Sequence, residues 1–357
     1  MRVLYYGTYE RDYPRNAQVI SCLRGAGVEV VERHARVWER RRHKFSLGLG
    51  AMLRVAVAEA LLLLRSPGER FDAMIVGYPG HFDMPAARWI ARRRPLVFNP
   101  LVSLSDTLVA DRGRFGERSA AAALLRSVDR IAFRKADLVV ADTAQHADFF
   151  AELGGIPRSR VEVCLVGAEE RLFRPGWHPP AEFHVLFVGK LIPLHGLETI
   201  LAAARLLPEV PFRIVGSGQL DGLLAQGPGN VQRVPWIEYE ALPEEIRGAG
   251  CALGIFGTSA KAARVIPNKA YQALACGTPL VTADTPAARE LLVDGESALL
   301  VPAGDPEALA AAIGRLASDP ELARRIGDGG LAAYRAEASE AVLGARWRGL
   351  LERLLEP

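Results

Sequence analysis

The chain has 357 residues, half of them hydrophobic and 24% charged, an ordinary globular composition that excludes an extended disordered protein. That length exceeds what one compact core usually holds, so two α/β domains of similar size are expected. A net charge of +3 is too small to point to nucleic acid, and Cys22, Cys164, Cys251 and Cys276 form no CxxC or Cys/His cluster, so buried, inert thiols in a reducing compartment are expected rather than thiolate metal ligands.

In chain order, Met1-Arg-Val-Leu-Tyr-Tyr-Gly7 runs straight into a strand pattern, without the basic, apolar and cleavage regions of a signal peptide. Val3–Tyr6, Val28–Glu32, Ala73–Val76, Leu96–Phe98, Leu138–Ala141 and Val161–Val163 read as strands, with helices at Asn16–Gly25, Pro85–Arg93 and Ser119–Lys135 between them. Short apolar runs alternating with helices are the pattern of parallel sheets covered on both faces. Glycine or proline ends most strands, as at Gly7, Gly77-Tyr-Pro-Gly80 and Asn99-Pro100.

Arg33, Arg36, Arg40, Arg41, Arg42 and Lys44 crowd one stretch, followed by the apolar run Ala51–Leu64. Two readings stand. One is a solvated basic loop before a core helix; the other is peripheral contact with an anionic membrane surface through Arg36–Lys44, each basic residue contributing about 1 kcal/mol. The longest apolar stretch, Val55–Leu64, is interrupted by Glu59 and is too short to span a bilayer. The expected location is cytoplasmic, with or without contact at the inner membrane surface.

Phe173-Arg-Pro-Gly-Trp-His-Pro-Pro-Ala181 carries no periodic pattern and reads as a linker. The expected organisation is therefore a first Rossmann-like domain over 1–173, a linker at 174–183, a second domain over 184–338 and a C-terminal helix over 339–357 that returns to the first domain. The second series starts at His184–Val188 and continues with Phe212–Val215, Val231–Arg233, Cys251–Ile255, Leu280–Thr282 and Ala298–Val301. Asp305-Pro306 and Asp319-Pro320 each read as a helix start, and the last helix carries Val342, Leu343, Trp347, Leu350 and Leu354 on one stripe.

Four segments of the second half stand out together. Phe187-Val-Gly-Lys-Leu-Ile-Pro-Leu-His-Gly196 leaves a strand, turns on glycines and opens a helix, so backbone N–H groups there can approach a phosphate while Lys190 supplies a point charge. Ile214-Val-Gly-Ser-Gly218 repeats the strand–glycine turn, which taken singly is as often a tight turn with no ligand. In Val265-Ile-Pro-Asn-Lys-Ala-Tyr-Gln-Ala-Leu-Ala-Cys-Gly277, Pro267 starts a helix and Gly277 ends it, which puts Lys269 in the first turn against the dipole. Such a lysine is either neutralising an anion or is solvated on the surface. Thr285-Pro-Ala-Ala-Arg-Glu290 reads as a further helix opening past a strand's carboxyl end, the edge where ligands collect in open α/β sheets.

These blocks, in this order across residues 184–315, resemble the family 4 retaining glycosyltransferases, which have the GT-B fold: two facing Rossmann-like, doubly wound parallel-sheet domains with an interdomain cleft. The first half resembles the family more loosely, through Tyr6-Gly-Thr-Tyr9 and Asp137–Thr143. The resemblance implies a nucleotide-sugar donor on the second domain and a glycan, lipid-linked or small-molecule acceptor on the first. Lys190 stands where the family has a diphosphate-binding arginine and His195 where it has the partner lysine. Gly216 and Gly218 lie beside the nucleoside, Trp236 and Ile237 where the base stacks, and Lys269 and Glu290 toward the donor. Gly7 permits close approach, and Arg15 is placed to meet the phosphates across the cleft. His81 matches a histidine near the reacting sugar, and Asp106 and Asp111 are candidate acceptor contacts. The family's two signature glutamates, one toward the donor sugar and one on the ribose, are replaced here by Arg264 and Gln272. Gln272 can still bond a ribose; Arg264 cannot accept from a sugar hydroxyl and suits a diphosphate or a carboxylate.

The implied activity is hexosyltransferase-type transfer with retention, with His81, Lys190 and Arg264 as catalytic candidates. No cofactor and no metal are expected, because no DxD pair lies at a plausible strand end and cations with helix N-termini must stabilise the leaving diphosphate. Two alternatives remain: a GT-B-fold UDP-sugar epimerase, and a catalytically silent sugar-nucleotide-binding subunit, the latter motivated by the two lost glutamates. A NAD-dependent dehydrogenase is set aside, since the first strand is followed by one glycine rather than GxGxxG.

Overall fold

Six short segments of the first half, β1 (Arg2–Gly7), β2 (Glu29–His34), β3 (Ala73–Val76), β4 (Leu96–Phe98), β5 (Leu138–Ala141) and β6 (Val161–Val163), form one parallel sheet in the order β2-β1-β3-β4-β5-β6. Every residue of β3, β4 and β5 is buried, as strands covered on both faces must be, whereas edge strand β2 is half-exposed. A second parallel sheet takes β7 (Val185–Val188), β8 (Phe212–Val215), β9 (Val231–Val234), β10 (Cys251–Leu253), β11 (Leu280–Ala283) and β12 (Leu299–Val301) in the order β12-β11-β10-β7-β8-β9. These are two doubly wound α/β sheets, as expected. The strand order reverses between β1 and β3 in one and between β7 and β10 in the other, which marks the crevice beyond those strand ends as the binding edge.

The computed structural model describes residues 1–11, 13–37, 57–62 and 70–356. The chain divides into two units, Met1–Leu165 together with Glu340–Pro357, and Val166–Ser339. The Pro-rich segment 174–183 belongs to the second unit: the Trp177 indole Nε1 donates to the Ala249 carbonyl at 2.6 Å, and its backbone N–H to that of Cys276 at 3.2 Å. Arg40–Lys44 and most of the apolar run that follows lie outside the described residues. Among the described residues, no helix is long and apolar enough to cross a membrane.

Helix boundaries follow local chemistry. Pro14 opens the Pro14–Gly25 helix, and Asp305 and Asp319 cap the Pro306–Ser318 and Pro320–Glu337 helices by accepting from the N–H groups of Ala308 and Leu322, each at 2.9 Å. The C-terminal helix, Glu340–Leu355, packs on Pro14–Gly25 through Leu343, Trp347, Leu350 and Leu351, so the buried stripe includes Leu351 rather than Leu354. Gly344 sits so close to the Cys22 carbonyl that a Cβ there would lie 2.5 Å from it. The four cysteines are free and buried, and burial pushes Cys164 up to about 11 and Cys276 up to about 12.

A second expectation is corrected. The Thr285–Glu290 segment does not open a helix. Thr285 Oγ1 accepts from Ala288 N–H at 3.0 Å, and Ala288–Glu290 makes a single 3₁₀ turn. Two i→i+4 bonds flank it, Arg289 N–H to the Thr285 carbonyl at 3.1 Å and Leu292 N–H to that of Ala288 at 2.9 Å, but they do not run on into an α-helix.

Candidate functional site

In the second unit the loop after β7 is built on glycine. Gly189 has φ 151°, and the position its Cβ would take lies 3.0 Å from Lys269 Nζ and 3.1 Å from His195 Cε1. Three sequence-selected residues therefore meet at the strand-order reversal, as the geometry of an open sheet requires of a binding edge. Gly216 and Gly218 pack this loop from below. A Cβ on Gly216 would fall 1.9 Å from the Gly189 carbonyl, and one on Gly218 2.5 Å from that of Leu191. Loop packing thus accounts for both glycines without a ligand, and the Gly218 N–H is already given to Asp221 Oδ1 at 2.9 Å.

Lys269 enters in the first turn of the Asn268–Cys276 helix. Its stem is partly exposed, but Nζ is buried, has no hydrogen-bond partner and lies 3.9 Å from the centre of the Phe187 ring. Burial alone holds this ammonium well below its ordinary pKa. The surface-lysine reading is therefore incorrect for Nζ: a donor group with three hydrogens faces a space that supplies no acceptor.

His195 is 8% exposed and packs edge-on against Phe187. Its Nδ1 pairs with the Lys190 carbonyl oxygen at 2.5 Å; a carbonyl only accepts, so Nδ1 carries the hydrogen. Nε2 then donates to an anion only in the imidazolium form. Lys190 itself is exposed.

Gln272 is buried one helical turn beyond Lys269. Its Nε2 donates to the Tyr239 hydroxyl at 3.5 Å, and that hydroxyl donates to Glu169 Oε1 at 3.2 Å. Glu169 in turn pairs with Arg171 at 2.9 Å. Arg264 ends the short 3₁₀ turn Ala262–Arg264 and is half-buried. Trp236 is 73% exposed and Ile237 half-buried on the segment after β9, while Glu290 is exposed at the end of its 3₁₀ turn.

In the first unit, Gly7 (φ 127°) ends β1 because the Asp83 carboxylate occupies the place of a Cβ, 2.2 Å from where that atom would stand. Asp83 accepts from Thr8 N–H at 2.7 Å and Thr8 Oγ1 at 2.8 Å. Burial, then the neighbouring Asp83 charge, push the Glu59 carboxyl up to about 10, while Tyr6 donates to it at 3.0 Å.

Arg15 lies in the interior of the first unit. It is fully buried, with Nε on Asn99 Oδ1 at 3.0 Å, NH1 on the carbonyls of Cys164 (3.1 Å) and Leu165 (2.8 Å), and its guanidinium carbon 5.9 Å from the Trp347 ring. That makes it a tie between β-strand ends and the returning helix, with NH2 buried and holding no hydrogen-bond partner.

His81 is likewise interior. Nδ1 bonds the Pro79 carbonyl, Nε2 lies 3.2 Å from Asp129 Oδ1, and Phe98 and Phe133 flank the ring. Asp129 is a hub, accepting from Ser103 Oγ (2.7 Å), Ser105 Oγ (2.7 Å), Ser105 N–H (2.9 Å) and Leu104 N–H (2.8 Å). Burial raises its carboxyl pKa, but His81 and the Ser105 bonds outweigh that and hold it below the ordinary value. Asp129 thereby fastens the His81 loop to the start of the segment carrying Asp106 and Asp111, both buried in a π-helical turn, Asp106–Asp111.

Asp83, Asp129, Glu169 and Tyr239 were not singled out from the sequence. Asp129 had a signal: it interrupts the apolar stripe Ala122, Leu125, Ala132 and Phe133 of its helix, where an unpartnered acid would be costly.

Comparison with known proteins agrees with this geometry. The Glycosyl transferase 4-like domain matches residues 1–167, and the Glycosyl transferases group 1 domain matches residues 182–319. A D-inositol 3-phosphate glycosyltransferase from Nocardia farcinica (strain IFM 10152) is 30% identical over 311 residues, covering 78% of this chain and 66% of that protein; the chain thus spans about two thirds of its length. Among solved structures, a sucrose-phosphate synthase (tll1590) from Thermosynechococcus elongatus superposes with TM-score 0.74 at 18% identity, covering 99% of this chain and 98% of that one. Anabaena Alr3699/HepE in complex with UDP-glucose gives 0.72 at 17% identity, covering 99% and 100%. Two domain matches in series, two Rossmann-like sheets and a cationic loop at the second sheet's reversal point agree with one another: the chain belongs to the family 4 glycosyltransferases of GT-B fold.

Proposed function

We propose that the chain transfers a sugar, with retention and without a metal, from a nucleoside-diphosphate sugar held by the second unit to a glycan, lipid-linked or small-molecule acceptor held by the first. The observation that carries this reading is Lys269: a buried, unpartnered Nζ set against Gly189 and His195 at the reversal of strand order is a cation awaiting an anion. A diphosphate there supplies acceptors for Nζ, and the same cations stabilise the charge that grows on it as the glycosidic bond breaks. Lys190, His195 and Arg264 add to that charge in the proposal, and His81, Asp106 and Asp111 serve the acceptor side.

UDP is the first nucleotide to test, because HepE is solved with UDP-glucose, and D-inositol 3-phosphate is the first acceptor, because the Nocardia relative is named for it. Thermal-shift measurements with UDP, GDP, ADP and dTDP identify the nucleotide, since only a ligand of the folded form raises the melting temperature. Turnover with the matching labelled sugar nucleotide then tests transfer. Replacement of the two signature glutamates by Arg264 and Gln272 supports a second reading, a silent sugar-nucleotide-binding subunit; it is favoured if a nucleotide binds but no sugar is released to any acceptor or to water.

The location proposed is cytoplasmic, with peripheral contact through Arg36–Lys44. Co-flotation with liposomes containing anionic lipid supports the contact, and its absence at low salt removes it.

A further inference from the structure

The family's ribose-facing carboxylate is missing at Gln272, yet a carboxylate stands one hydroxyl away. Glu169 is 6% exposed and takes Arg171 on Oε2. A carboxylate has no hydrogen to give, so at Oε1 the Tyr239 hydroxyl must be the donor. That hydroxyl has one hydrogen, and once it is spent on Glu169 the oxygen can only accept; the Gln272 group facing it must then be Nε2. The chain of bonds thus runs one way, and it leaves the Gln272 amide oxygen, which no donor among the described residues engages, as a fixed acceptor. An isolated glutamine would present oxygen or nitrogen with little preference; here a charge two bonds away decides. Burial, and then the Glu169 charge, push the Tyr239 hydroxyl well above its ordinary pKa, which keeps its hydrogen in place for that task.

The helix places this acceptor where a nucleotide's sugar belongs. Lys269 and Gln272 are i and i+3 on the Asn268–Cys276 helix, on one face and about 4.5 Å apart along the axis. If a diphosphate occupies the Lys269 space, the group bonded next to it, the ribose, passes Gln272. We infer that Glu169 and Tyr239, acting through Gln272, are positioning residues that make this site select a ribonucleotide over its deoxy counterpart. This rests on the donor-site reading given above.

The test compares, on the full chain, whichever of UDP, GDP and ADP binds most tightly with its 2′-deoxy and 3′-deoxy forms, with inorganic pyrophosphate as a probe of the phosphate end alone. The wild type is expected to prefer the ribose form over at least one deoxy form by about tenfold, one charge-supported hydrogen bond's worth. Glu169→Gln, which can turn the chain around, and Tyr239→Phe, which cuts it, are expected to bring that ratio within twofold while pyrophosphate affinity stays unchanged, which also reports that the variants are folded. Glu169→Gln combined with Gln272→Glu is expected to restore the preference, because a carboxylate at 272 accepts without help. Equal wild-type affinity for ribose and deoxy forms, or a ratio unmoved in both variants, overturns the inference. Pyrophosphate and every nucleotide failing to bind overturns the donor site itself, and the inference with it.

Discussion

Lys269 holds its Nζ 3.9 Å from the centre of the Phe187 ring, a cation from the first turn of a helix lying on the aromatic face of the strand that leads into the Gly189 turn. The ring's attraction for a desolvated ammonium is about 2 kcal/mol, but a ring face does not satisfy three N–H groups, and burial pulls the ammonium's pKa down from 10.5. The folded chain then binds fewer protons at this group than the unfolded chain does. Stability therefore rises with pH from the depressed value up to 10.5, and the cost is carried below that window. Lys269→Met is expected to raise the melting temperature of the nucleotide-free protein at pH 7, by about 2–4 °C per kcal/mol recovered, and to weaken nucleoside diphosphate binding by roughly 10- to 100-fold. Thermal scans at pH 6 to 9 with and without UDP check both signs. A variant that is less stable without nucleotide, or that binds UDP as the wild type does, contradicts the assignment.

The Glu59–Asp83 pair titrates in the opposite sense. Burial, and the Asp83 charge beside it, raise Glu59 to about 10, so its carboxyl is protonated in the folded chain at neutral pH. Its contribution to stability is complete below the unfolded value of 4.5 and is lost as pH rises through about 10. Glu59→Gln keeps the shape and removes the titration. Urea unfolding at pH 6 and pH 9 is expected to show a wild-type loss of stability at the higher pH that the variant does not share.

Arg15 separates a structural from a ligand-binding role. Removing a guanidinium that ties Asn99 and two backbone carbonyls leaves buried acceptors unsatisfied, at about 1–3 kcal/mol each. Arg15→Met is expected to lower stability by several kcal/mol in chemical denaturation, roughly 3–5 in sum, while nucleotide affinity of the remaining folded protein changes less than threefold. A selective loss of nucleotide binding at wild-type stability restores the sequence-based expectation that Arg15 meets phosphate.

Gly216→Ala puts a methyl group into the Gly189 carbonyl at φ 140°, so the strain is both steric and conformational. A loss of roughly 2–4 kcal/mol is expected, with displacement of the Gly189 turn and weaker nucleotide binding. Gly229→Ala is the control, because nothing lies within 4 Å of the added atom; its melting temperature should match the wild type within a degree or two.

The legible part of this molecule is what short-range pattern determines. β3, β4 and β5 fall on the segments expected, because strands buried on both faces announce themselves as unbroken apolar runs. Asp305 and Asp319 cap as expected, because a cap is settled within four residues. Long-range pairing was not legible. Thr8 finds Asp83 across 75 positions, and Arg15 finds Leu165 across 150. Arg15 looked like a phosphate ligand because its loop neighbours Gly7; only the fold shows that the side chain turns inward. Lys269 was legible as a first-turn lysine, but its burial depends on Phe187 and Gly189, eighty residues away in sequence and adjacent only once β7 has formed.

The packing of Gly344 on Cys22 has a consequence for how the protein is made. The first unit is discontinuous in sequence, and its last helix leaves the ribosome only after the whole of Val166–Ser339 has been translated. At ordinary synthesis rates that is a delay of ~10–35 s, during which the surface destined for Trp347 and Leu351 stays uncovered on the nascent chain. The second unit is continuous in sequence, and the first is complete only once Glu340–Leu355 has joined Pro14–Gly25.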